Sequence, residues 1–249
     1  MPDLGRFDGF TAHELTELLG LPAVELLAET TSTLDVVHRL GADGAAAGTL
    51  VVADQQTAGR GRGGSKWSSP LGTGLWLSLL ERPADTSGLE VLSLRIGLRS
   101  ARALDRFAPE PVRLKWPNDL YVEEKKLGGI LIEARWREGK LEWVAIGLGV
   151  NVFVPDDVPA AGALDPGTQR VEVLTDLVPA LRGAAHAVGN LTDLELVEWN
   201  ARDLARGRLC TEPARGVVEG ISPAGELLVA LADSVARFRT GSLVLDNTK

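Results

Sequence analysis

The sequence predicts an α+β fold in which strands alternate with amphipathic helices and a small β-barrel follows at the C-terminal end. Short β-branched or apolar runs, for example at residues 49–53 and 143–152, are typical of buried strands. Residues 87–107 carry apolar side chains at helical spacing, which indicates a long helix packed on the sheet. After Thr211 the pattern changes to short strands separated by turns, which is typical of a small barrel.

The first elements are predicted to be a helix, a strand and a second helix. Thr11, followed three residues later by Glu14, forms a capping-box pattern that begins a helix over residues 11–19. Residues 24–28 are predicted to form a strand. A Ser/Thr cluster then precedes apolar positions at helical spacing, so Ser32 is interpreted as a plain N-cap. A hydroxyl at a helix start can also serve a ligand.

A glycine-rich cationic loop at residues 59–67 separates the strand at 49–53 from a strand at 74–80. It holds four glycines and three cations, and no acidic residue lies between Asp54 and Glu81, although the net charge is -8. Glycine lets backbone N–H groups approach an anion closely, and arginine binds phosphate or carboxylate with two parallel bonds. The loop is compatible with an anion site, although taken alone a Gly/Arg loop is better interpreted as a flexible, solvated turn between two strands. It lacks the Gly-Lys-Ser/Thr ending of a Walker loop.

Two further motifs place polar side chains beside predicted strands. Residues 112–119 read as a short strand that ends at a stiff turn, because Pro117 fixes φ before Asn118 and Asp119. Two lysines and a Gly-Gly step then enter a buried strand at 125–133, which suggests close approach to its backbone. Asn151 stands in a very apolar strand over residues 141–154, where a buried amide needs partners.

The remaining chain is predicted to contain a loop, two helices and the strands of the barrel. Residues 155–170 are rich in Pro, Asp, Ala and Gly and are interpreted as a mobile loop. Helices are expected at 171–188 and 193–205. The barrel strands are expected at residues 216–221, 227–231, 235–238 and 242–245.

Composition excludes several classes of protein. No apolar run reaches the roughly 18 residues that span a bilayer. Residues 1–10 lack the pattern of a secretion signal, and Cys210 is the only cysteine, so we expect a cytoplasmic protein without disulfides. The three histidines are far apart, which argues against a metal site. The acidic net charge argues against DNA as a partner.

Four motifs, in this order, resemble the catalytic core of biotin protein ligases. They are Gln56 with the loop at 59–67, Lys115-Trp116-Pro117-Asn118-Asp119, the run from Lys126 to Leu131, and Gly147-x-Gly-x-Asn151. The resemblance extends from about Leu27 to the end of the chain and includes Ser32-Thr33. It implies a mixed β-sheet with helices packed on one face, in a class II synthetase-like catalytic domain at 1–208, and an SH3-like barrel at 209–249.

This resemblance implies a two-step ligase reaction. The enzyme joins the biotin carboxylate to the α-phosphate of ATP, giving biotinoyl-5'-AMP and pyrophosphate. It then transfers biotin to a lysine of a biotin carboxyl carrier protein, typically that of acetyl-CoA carboxylase or a related carboxylase. Mg²⁺ would accompany the phosphates without firmly assigned protein ligands, and no permanently bound cofactor is expected. We expect no membrane partner, and an exposed sheet edge is compatible with a homodimer.

The resemblance also implies roles for individual residues. Arg62 and Lys126 would neutralise the two anions, and Asp119 would orient the incoming lysine or accept its proton. Biotin would contact Ser32, Thr33, Gln56, Gly59, Arg60, Arg62, Trp67, Lys126, Gly129 and Gly147, with Gly149 and Leu131 as further candidates for its apolar walls. ATP would contact Arg60, Arg62, Lys66, Asn118, Lys126 and Asn151. For Trp67 and Trp116 core packing remains the alternative.

Several positions depart from the family pattern. Gly63 and Ser65 stand where the loop often carries more basic residues, which would weaken ATP binding or adenylate retention, with Lys66 as a compensating cation. Leu34 stands where Asn commonly follows the Ser-Thr pair. The segment that covers the adenine is matched only loosely, by residues 160–164.

Three alternative functions stay open. A biotin-responsive repressor would need an N-terminal helix-turn-helix domain, for which about 25 residues are too few. A lipoate or octanoate ligase or transferase has a related fold, although the loop with Lys-Trp-Pro-Asn-Asp favours biotin. A non-catalytic biotin binder or regulator is disfavoured by the retained Arg62 and Lys126.

Overall fold

The computed structural model describes residues 5–246. The first four residues of the predicted catalytic domain and the last three of the predicted barrel lie outside the described residues. Within them the helices are α1 (Ala12–Leu19), α2 (Thr33–Ala42), α3 (Leu92–Leu104), α4 (Arg170–Ala185) and α5 (Asp193–Arg202). The strands are β1 (Arg6–Phe7), β2 (Phe10–Thr11), β3 (Val24–Thr30), β4 (Leu50–Gln56), β5 (Gly74–Glu81), β6 (Arg113–Lys115), β7 (Asp119–Val122), β8 (Lys125–Arg137), β9 (Lys140–Asn151), β10 (Leu209–Glu212), β11 (Gly216–Ile221), β12 (Leu227–Ala230), β13 (Val235–Phe238) and β14 (Val244–Leu245).

Seven strands form the mixed sheet that the sequence predicts, in the order β3-β4-β5-β9-β8-β7-β6. Only β3 and β4 run parallel, with α2 as their crossover, and the other neighbours are antiparallel. The long hairpin of β8 and β9 lies at the centre, because its apolar residues alternate and can be buried on both faces. Residues from both strands of this hairpin line the site described below.

The helices cover the two faces of the sheet unequally. Along β4, Leu50 and Val52 join the main core with α1, α3, α4 and α5, whereas Val51 points to the opposite face and packs with α2. The expectation that all helices lie on one face is therefore wrong for α2. Its Leu34 and Val37 are apolar on the side that faces the sheet, so the helix buries them against the second face.

The C-terminal strands form a separate five-stranded antiparallel sheet in the order β13-β12-β11-β10-β14. This confirms the small β domain. In the part of the chain that the structure describes, β13 and β14 are edge strands that do not pair with each other, so the ladder is open. Its buried residues Cys210, Val218 and Leu227 belong to the same hydrophobic cluster as the large sheet. Trp116 Nε1 also donates to Gly225 O at 3.1 Å, which ties the two sheets together.

Local signals account for most element boundaries. Thr11 Oγ1 accepts from Glu14 N at 3.2 Å and Thr11 N donates to Glu14 Oε2 at 2.7 Å, so the predicted capping box begins α1. The helix predicted over 87–107 is shorter, because single 3-10 turns at Leu89–Val91 and Asp105–Phe107 flank α3. Strand β7 and the β1–β2 hairpin were not predicted. Among residues 5–246 no helix has the length and apolar character needed to span a membrane.

Candidate active site

A cavity of about 400 Å³ lies on the α2 face of the large sheet. Seven parts of the chain surround it: the start of α2, the end of β4, the loop at 59–67, the middle of β5, the turn between β6 and β7, the hairpin β8–β9, and the C-terminal sheet. The lining residues predicted from the sequence are Ser32, Thr33, Gln56, Arg60, Arg62, Lys66, Trp67, Asn118, Asp119, Lys126, Gly129, Leu131, Gly147 and Gly149. The structure therefore brings together nearly all the predicted site residues. Gly59 and Asn151 do not line this cavity.

One end of the cavity is a buried hydroxyl and amide cluster. Gln56 Oε1 accepts from Thr33 N at 2.9 Å, and Gln56 Nε2 donates to Ser69 Oγ at 2.8 Å. Thr33 Oγ1 lies 2.8 Å from Ser78 Oγ on β5. Ser32 caps α2 as expected, since its Oγ accepts from Leu34 N at 3.4 Å. These contacts fix the side chains before any ligand arrives, which lowers the ordering cost of binding a polar ring.

The cationic loop has a defined shape. Gly61 N donates to Ser65 O at 2.8 Å and Trp67 N donates to Gly59 O at 2.9 Å, which closes a narrow turn. At its tip Gly63 has φ of 61°, a conformation that favours glycine. At Gly59 a Cβ would lie 2.4 Å from Trp67 O, so the close crossing of the two chain segments requires glycine. Gly59 therefore shapes the loop rather than the cavity wall.

The three cations of the loop have different surroundings. Arg62 Nη1 lies 3.3 Å from Gly241 O and 3.5 Å from Asn118 Oδ1, which places its guanidinium between the two sheets. Arg60 instead forms a two-bond ion pair with Glu133 and a further contact with Asp35, at 2.8 to 3.1 Å. Lys66 lines the cavity. Arg62 and Lys66 are therefore better placed to meet an anion than Arg60.

Lys126 and Asp119 form an ion pair at the other end of the cavity. Lys126 Nζ lies 2.7 Å from Asp119 Oδ1 and 5.3 Å from the centre of the Trp67 ring. The carboxylate and the indole together fix the ammonium over the strand β8. Asp119 thus orients a cation, a contact that the sequence did not reveal.

Lys115 is a cavity residue that sequence reasoning left unassigned, although it begins a quoted motif. Burial lowers the pKa of Lys115 and outweighs the nearby Asp119 carboxylate, which raises it. Its ammonium lies 5.8 Å from the Tyr121 ring. Burial, with the carboxylates of Asp119 and Glu124, raises the pKa of Tyr121 to about 12, so the phenol is neutral at pH 7. Lys115 adds a partly desolvated cation to the same end of the cavity.

The strand glycines accommodate protein side chains. A Cβ on Gly149 would lie 2.5 Å from Trp67 Nε1, and one on Gly147 would lie 3.0 Å from Leu34 Cδ1. Gly129 lies against both Trp67 and Lys126. The glycines were expected to let a ligand lie on the sheet; they also let Trp67 and Leu34 form the apolar walls. Trp67 Nε1 is buried without a hydrogen-bond partner among the described atoms.

The two predicted asparagines differ in position. Asn118 lines the cavity and its Nδ2 donates to Ile130 O at 2.8 Å, which joins the turn to β8. Asn151 is buried and its Nδ2 donates to Gly162 O at 3.1 Å and faces Lys126 O at 3.4 Å. Asn151 therefore fastens the segment at 160–164 to the end of β9 and the start of β8.

The C-terminal sheet supplies cavity residues that the sequence did not point to. Ser242, Leu243 and Val244 line the cavity, next to Gly241, whose carbonyl accepts from Arg62. They are distant in sequence from every motif, so no local pattern could identify them. Glu133 does not line this cavity but pairs with Arg60; its role was also missed, because a charged residue at the end of a predicted strand normally faces water.

The comparisons with known proteins agree with this geometry. The sequence model of the Biotin/lipoate A/B protein ligase family matches residues 26–151. The biotin--[acetyl-CoA-carboxylase] ligase of Paracoccus denitrificans is 30% identical over 232 residues, covering 82% of this chain and 92% of that protein. The bifunctional ligase/repressor BirA of Escherichia coli is 44% identical over 109 residues, covering 42% of this chain and only 33% of that protein.

A solved biotin protein ligase from Aquifex aeolicus, in complex with biotin and ATP, has a TM-score of 0.74 and 26% identity. The match covers 92% of this chain and 100% of that one. The family match includes the cavity residues from Ser32 to Gly149, and the Paracoccus relative is 30% identical with most of both chains covered. The chain therefore belongs to the biotin/lipoate A/B protein ligase family.

Proposed function

We propose that this protein is an ATP-dependent biotin protein ligase. It activates biotin as biotinoyl-5'-AMP and transfers the biotinoyl group to a lysine of a biotin carboxyl carrier protein. The observation that supports this most is the single cavity with a pre-ordered hydroxyl and amide cluster at one end and Arg62, Lys115 and Lys126 at the other. The first end suits the ureido ring of biotin, and the second suits a carboxylate that meets a phosphate.

The charges of the reaction explain why the cations are needed. Two unit charges about 4 Å apart repel by about 1 kcal/mol in water but by about 4 kcal/mol at the effective dielectric near a protein surface. A carboxylate that attacks the α-phosphate inside the cavity meets the larger of these values. Lys126, held by Asp119 at 2.7 Å, and Arg62 offset this repulsion as the new bond forms.

The transfer step needs a neutral amine on the carrier. We assign Asp119 to this step, because it lines the cavity beside Lys126 and a carboxylate can accept the proton of the incoming lysine. Asp119→Asn is expected to slow transfer from preformed biotinoyl-AMP, and full transfer by this variant would remove the assignment.

Mg²⁺ would enter with the phosphates. Among residues 5–246 no cluster of three or more His, Cys, Asp or Glu side chains is suited to hold a metal ion. We propose that the ion binds through phosphate oxygens.

The partners follow from the activity. Relatives are named for acetyl-CoA carboxylase, so we propose the carrier protein of that enzyme or of a related carboxylase as the substrate. The net charge of -8 argues against DNA as a partner. A homodimer remains a proposal supported by the edge position of β3 in the large sheet.

The test is biotin-dependent exchange of labelled pyrophosphate into ATP, with lipoate and octanoate as competing acids, because the family includes lipoate ligases. We expect exchange with biotin alone. Exchange with lipoate or octanoate instead would keep the reaction type and replace the substrate. Folded protein that exchanges with none of the three acids would remove the ligase assignment.

A further inference from the structure

A chain of polar contacts connects the buried core to the cationic loop at residues 59–67. It begins at Trp143 on β9, passes through His38 on α2 to Glu133 on β8, and ends at Arg60 in the loop. Trp143 Nε1 lies 3.0 Å from His38 Nδ1, and His38 Nε2 lies 2.8 Å from Glu133 Oε2. Glu133 then accepts from Arg60 Nη1 at 2.8 Å and from Nη2 at 3.1 Å. We call these four residues the Glu133 chain.

The donors in the Glu133 chain can be assigned from chemistry alone. An indole N–H can only donate, so His38 Nδ1 must accept the bond from Trp143. The imidazole is then the tautomer with its proton on Nε2, which donates to Glu133 Oε2. Glu133 therefore receives three donated hydrogen bonds, one from His38 and two from Arg60.

The base of the chain is rigid. Trp143 is 6% exposed and belongs to the hydrophobic cluster under α2. The guanidinium of Arg82 lies 5.5 Å from the centre of its ring and donates to Glu142 O at 2.6 Å and to Gly41 O at 3.1 Å. The position of His38 is thus fixed by groups that belong to the sheet and α2 and not to the loop.

Arg60 is held by carboxylates on two elements. Its Nη2 is 3.1 Å from Asp35 Oδ1 on α2, in addition to the pair with Glu133 on β8. Two carboxylates around one guanidinium leave no excess positive charge for a phosphate. Arg60 is therefore better understood as the attachment of the loop to the sheet, while Arg62 and Lys66 meet the substrate.

We propose that Glu133 and His38 are positioning residues for the ligase reaction. They hold Arg60, and through it the loop that carries Arg62, Lys66 and Trp67, in place over the cavity. This proposal rests on the proposed function. A loop that is already ordered binds substrates without a further ordering cost, so losing the attachment should weaken binding more than it slows the bound substrates.

The first test separates binding from chemistry. Glu133→Gln removes the charge and the symmetric pair of acceptors but keeps the shape. We expect the KM values for biotin and ATP in pyrophosphate exchange to rise about tenfold, with kcat within about twofold of the original, because charge-assisted bonds are lost while Arg62 and Lys126 remain. A fall in kcat with unchanged KM would overturn the positioning role.

The second test compares two substitutions at His38. A glutamine amide can donate from roughly the position of the imidazole Nε2, whereas alanine cannot. His38→Ala should raise KM in the same direction as Glu133→Gln, and His38→Gln should restore most of the loss. The matched control is His13→Ala, because His13 pairs with Glu17 on the exposed side of α1, where it is 82% exposed. Equal effects of His38→Ala and His38→Gln would overturn the donor role of His38.

The third test does not depend on catalysis. Trypsin cleaves after Arg60, Arg62 and Lys66, so the rate of cleavage in this loop reports its attachment to the sheet. We expect Glu133→Gln and His38→Ala to increase that rate severalfold, and Asp35→Asn, at an exposed carboxylate, to increase it less. Circular dichroism must show that each variant is folded, and Asp35→Asn provides a milder change should Glu133→Gln not fold.

The outcomes distinguish the two proposals. Faster loop cleavage in folded variants, with no exchange activity in the unaltered protein, would uphold the attachment and remove the ligase assignment. Unchanged cleavage and unchanged KM values in the variants, with pyrophosphate exchange by the unaltered protein, would overturn the positioning role of Glu133 and His38. The proposed function would remain intact.

Discussion

At the scale of single residues, Lys126 is a cavity cation whose position is fixed by its neighbours. The carboxylate of Asp119, the ring of Trp67 and the adjacent Gly129 all restrict its side chain. Such fixed charges stabilise a developing anion without reorganising when the reaction occurs. A lysine on the surface of the same strand would lack this advantage.

Lys126→Met should therefore abolish most of the adenylation activity. We expect a fall of about 100-fold in kcat for pyrophosphate exchange, the size typical for removing one preorganised charge from a transition state. The control is Lys125→Met, because the neighbouring Lys125 is 57% exposed and pairs only loosely with Glu123 at 3.6 Å. Similar losses in both variants would mean that strand β8, and not the cavity cation, had been disturbed.

The sequence identified those cavity residues that lie in short motifs, and it missed those that line or support the cavity from elsewhere. Lys126, Arg62 and Trp67 could be found because each stands beside glycines in a recognisable order. Glu133 and Ser242 could not, since their roles depend on which strands and loops become neighbours in space. Arg60 was found but assigned to substrate, because the sequence does not show that two carboxylates surround it.

At the scale of elements, Asn151 shows how one side chain can fix a loop. Asn151→Ala would leave the carbonyls of Gly162 and Lys126 without their buried donor, so we expect the free energy of unfolding to fall by about 1–3 kcal/mol. Urea denaturation measures this, with Asp156→Ala as an exposed control in the same loop. A loss of ATP binding at unchanged stability would instead favour the direct contact with ATP that the sequence suggested.

The packing of α3 against the start of α5 depends on one ionised acid. Burial of Glu195 opposes its ionisation, but hydrogen bonds from Arg95 and Thr192 outweigh this and lower the pKa of Glu195 to about 2. Arg95 itself is 1% exposed and donates to Glu195 at 2.7 Å. Each charge is therefore needed to compensate the burial of the other.

The stability from this pair should depend on pH in a defined direction. The pKa of Glu195 is about 2 in the folded protein and 4.5 in its ordinary state, so the contribution is complete above pH 4.5 and is lost as pH falls towards 2. Glu195→Gln should lower stability at pH 7 and flatten the change over this window, measured by thermal unfolding. Glu110→Gln, at an exposed position, should leave the profile unchanged.

Element types were more predictable than element ends. The helices α1 and α2 begin where Thr11 and Ser32 predicted, because their caps are local. The end of α3 was misplaced, because the chain continues from α3 as a 3-10 turn that ends at the buried Phe107. Over a single turn the apolar spacing does not distinguish the two kinds of helix. Strand β7 was hidden for a similar reason, because it is only four residues long and follows a proline turn.

At the scale of the whole molecule, the two sheets share one hydrophobic cluster, so we expect them to unfold together. The sequence offers a separate probe for each part. All six tryptophans precede Leu209, whereas Cys210, the only cysteine, is buried in the C-terminal sheet. During urea unfolding, tryptophan fluorescence and the reactivity of Cys210 towards a thiol reagent should show the same midpoint.

Different midpoints would contradict this expectation. Exposure of Cys210 at lower urea than the change in fluorescence would show that the C-terminal sheet opens first, and the cavity would then lose Ser242, Leu243 and Val244 before the large sheet unfolds. The boundary between residues 208 and 209 stays a prediction, and this experiment bears on whether it separates independent units.

The alternation along β8 and β9 has a consequence for redesigning the protein. Ile132 and Ile146 belong to the core side, whereas Gly129, Leu131, Gly147 and Gly149 face the cavity. Neighbouring positions of the same strands therefore have different requirements, substrate fit for Leu131 and folding for Ile132 and Ile146. A library that varies only Gly129 and Leu131 could search for enzymes that attach other acids, while Gly147 and Gly149 are kept because Leu34 and Trp67 fill the space that a Cβ would need.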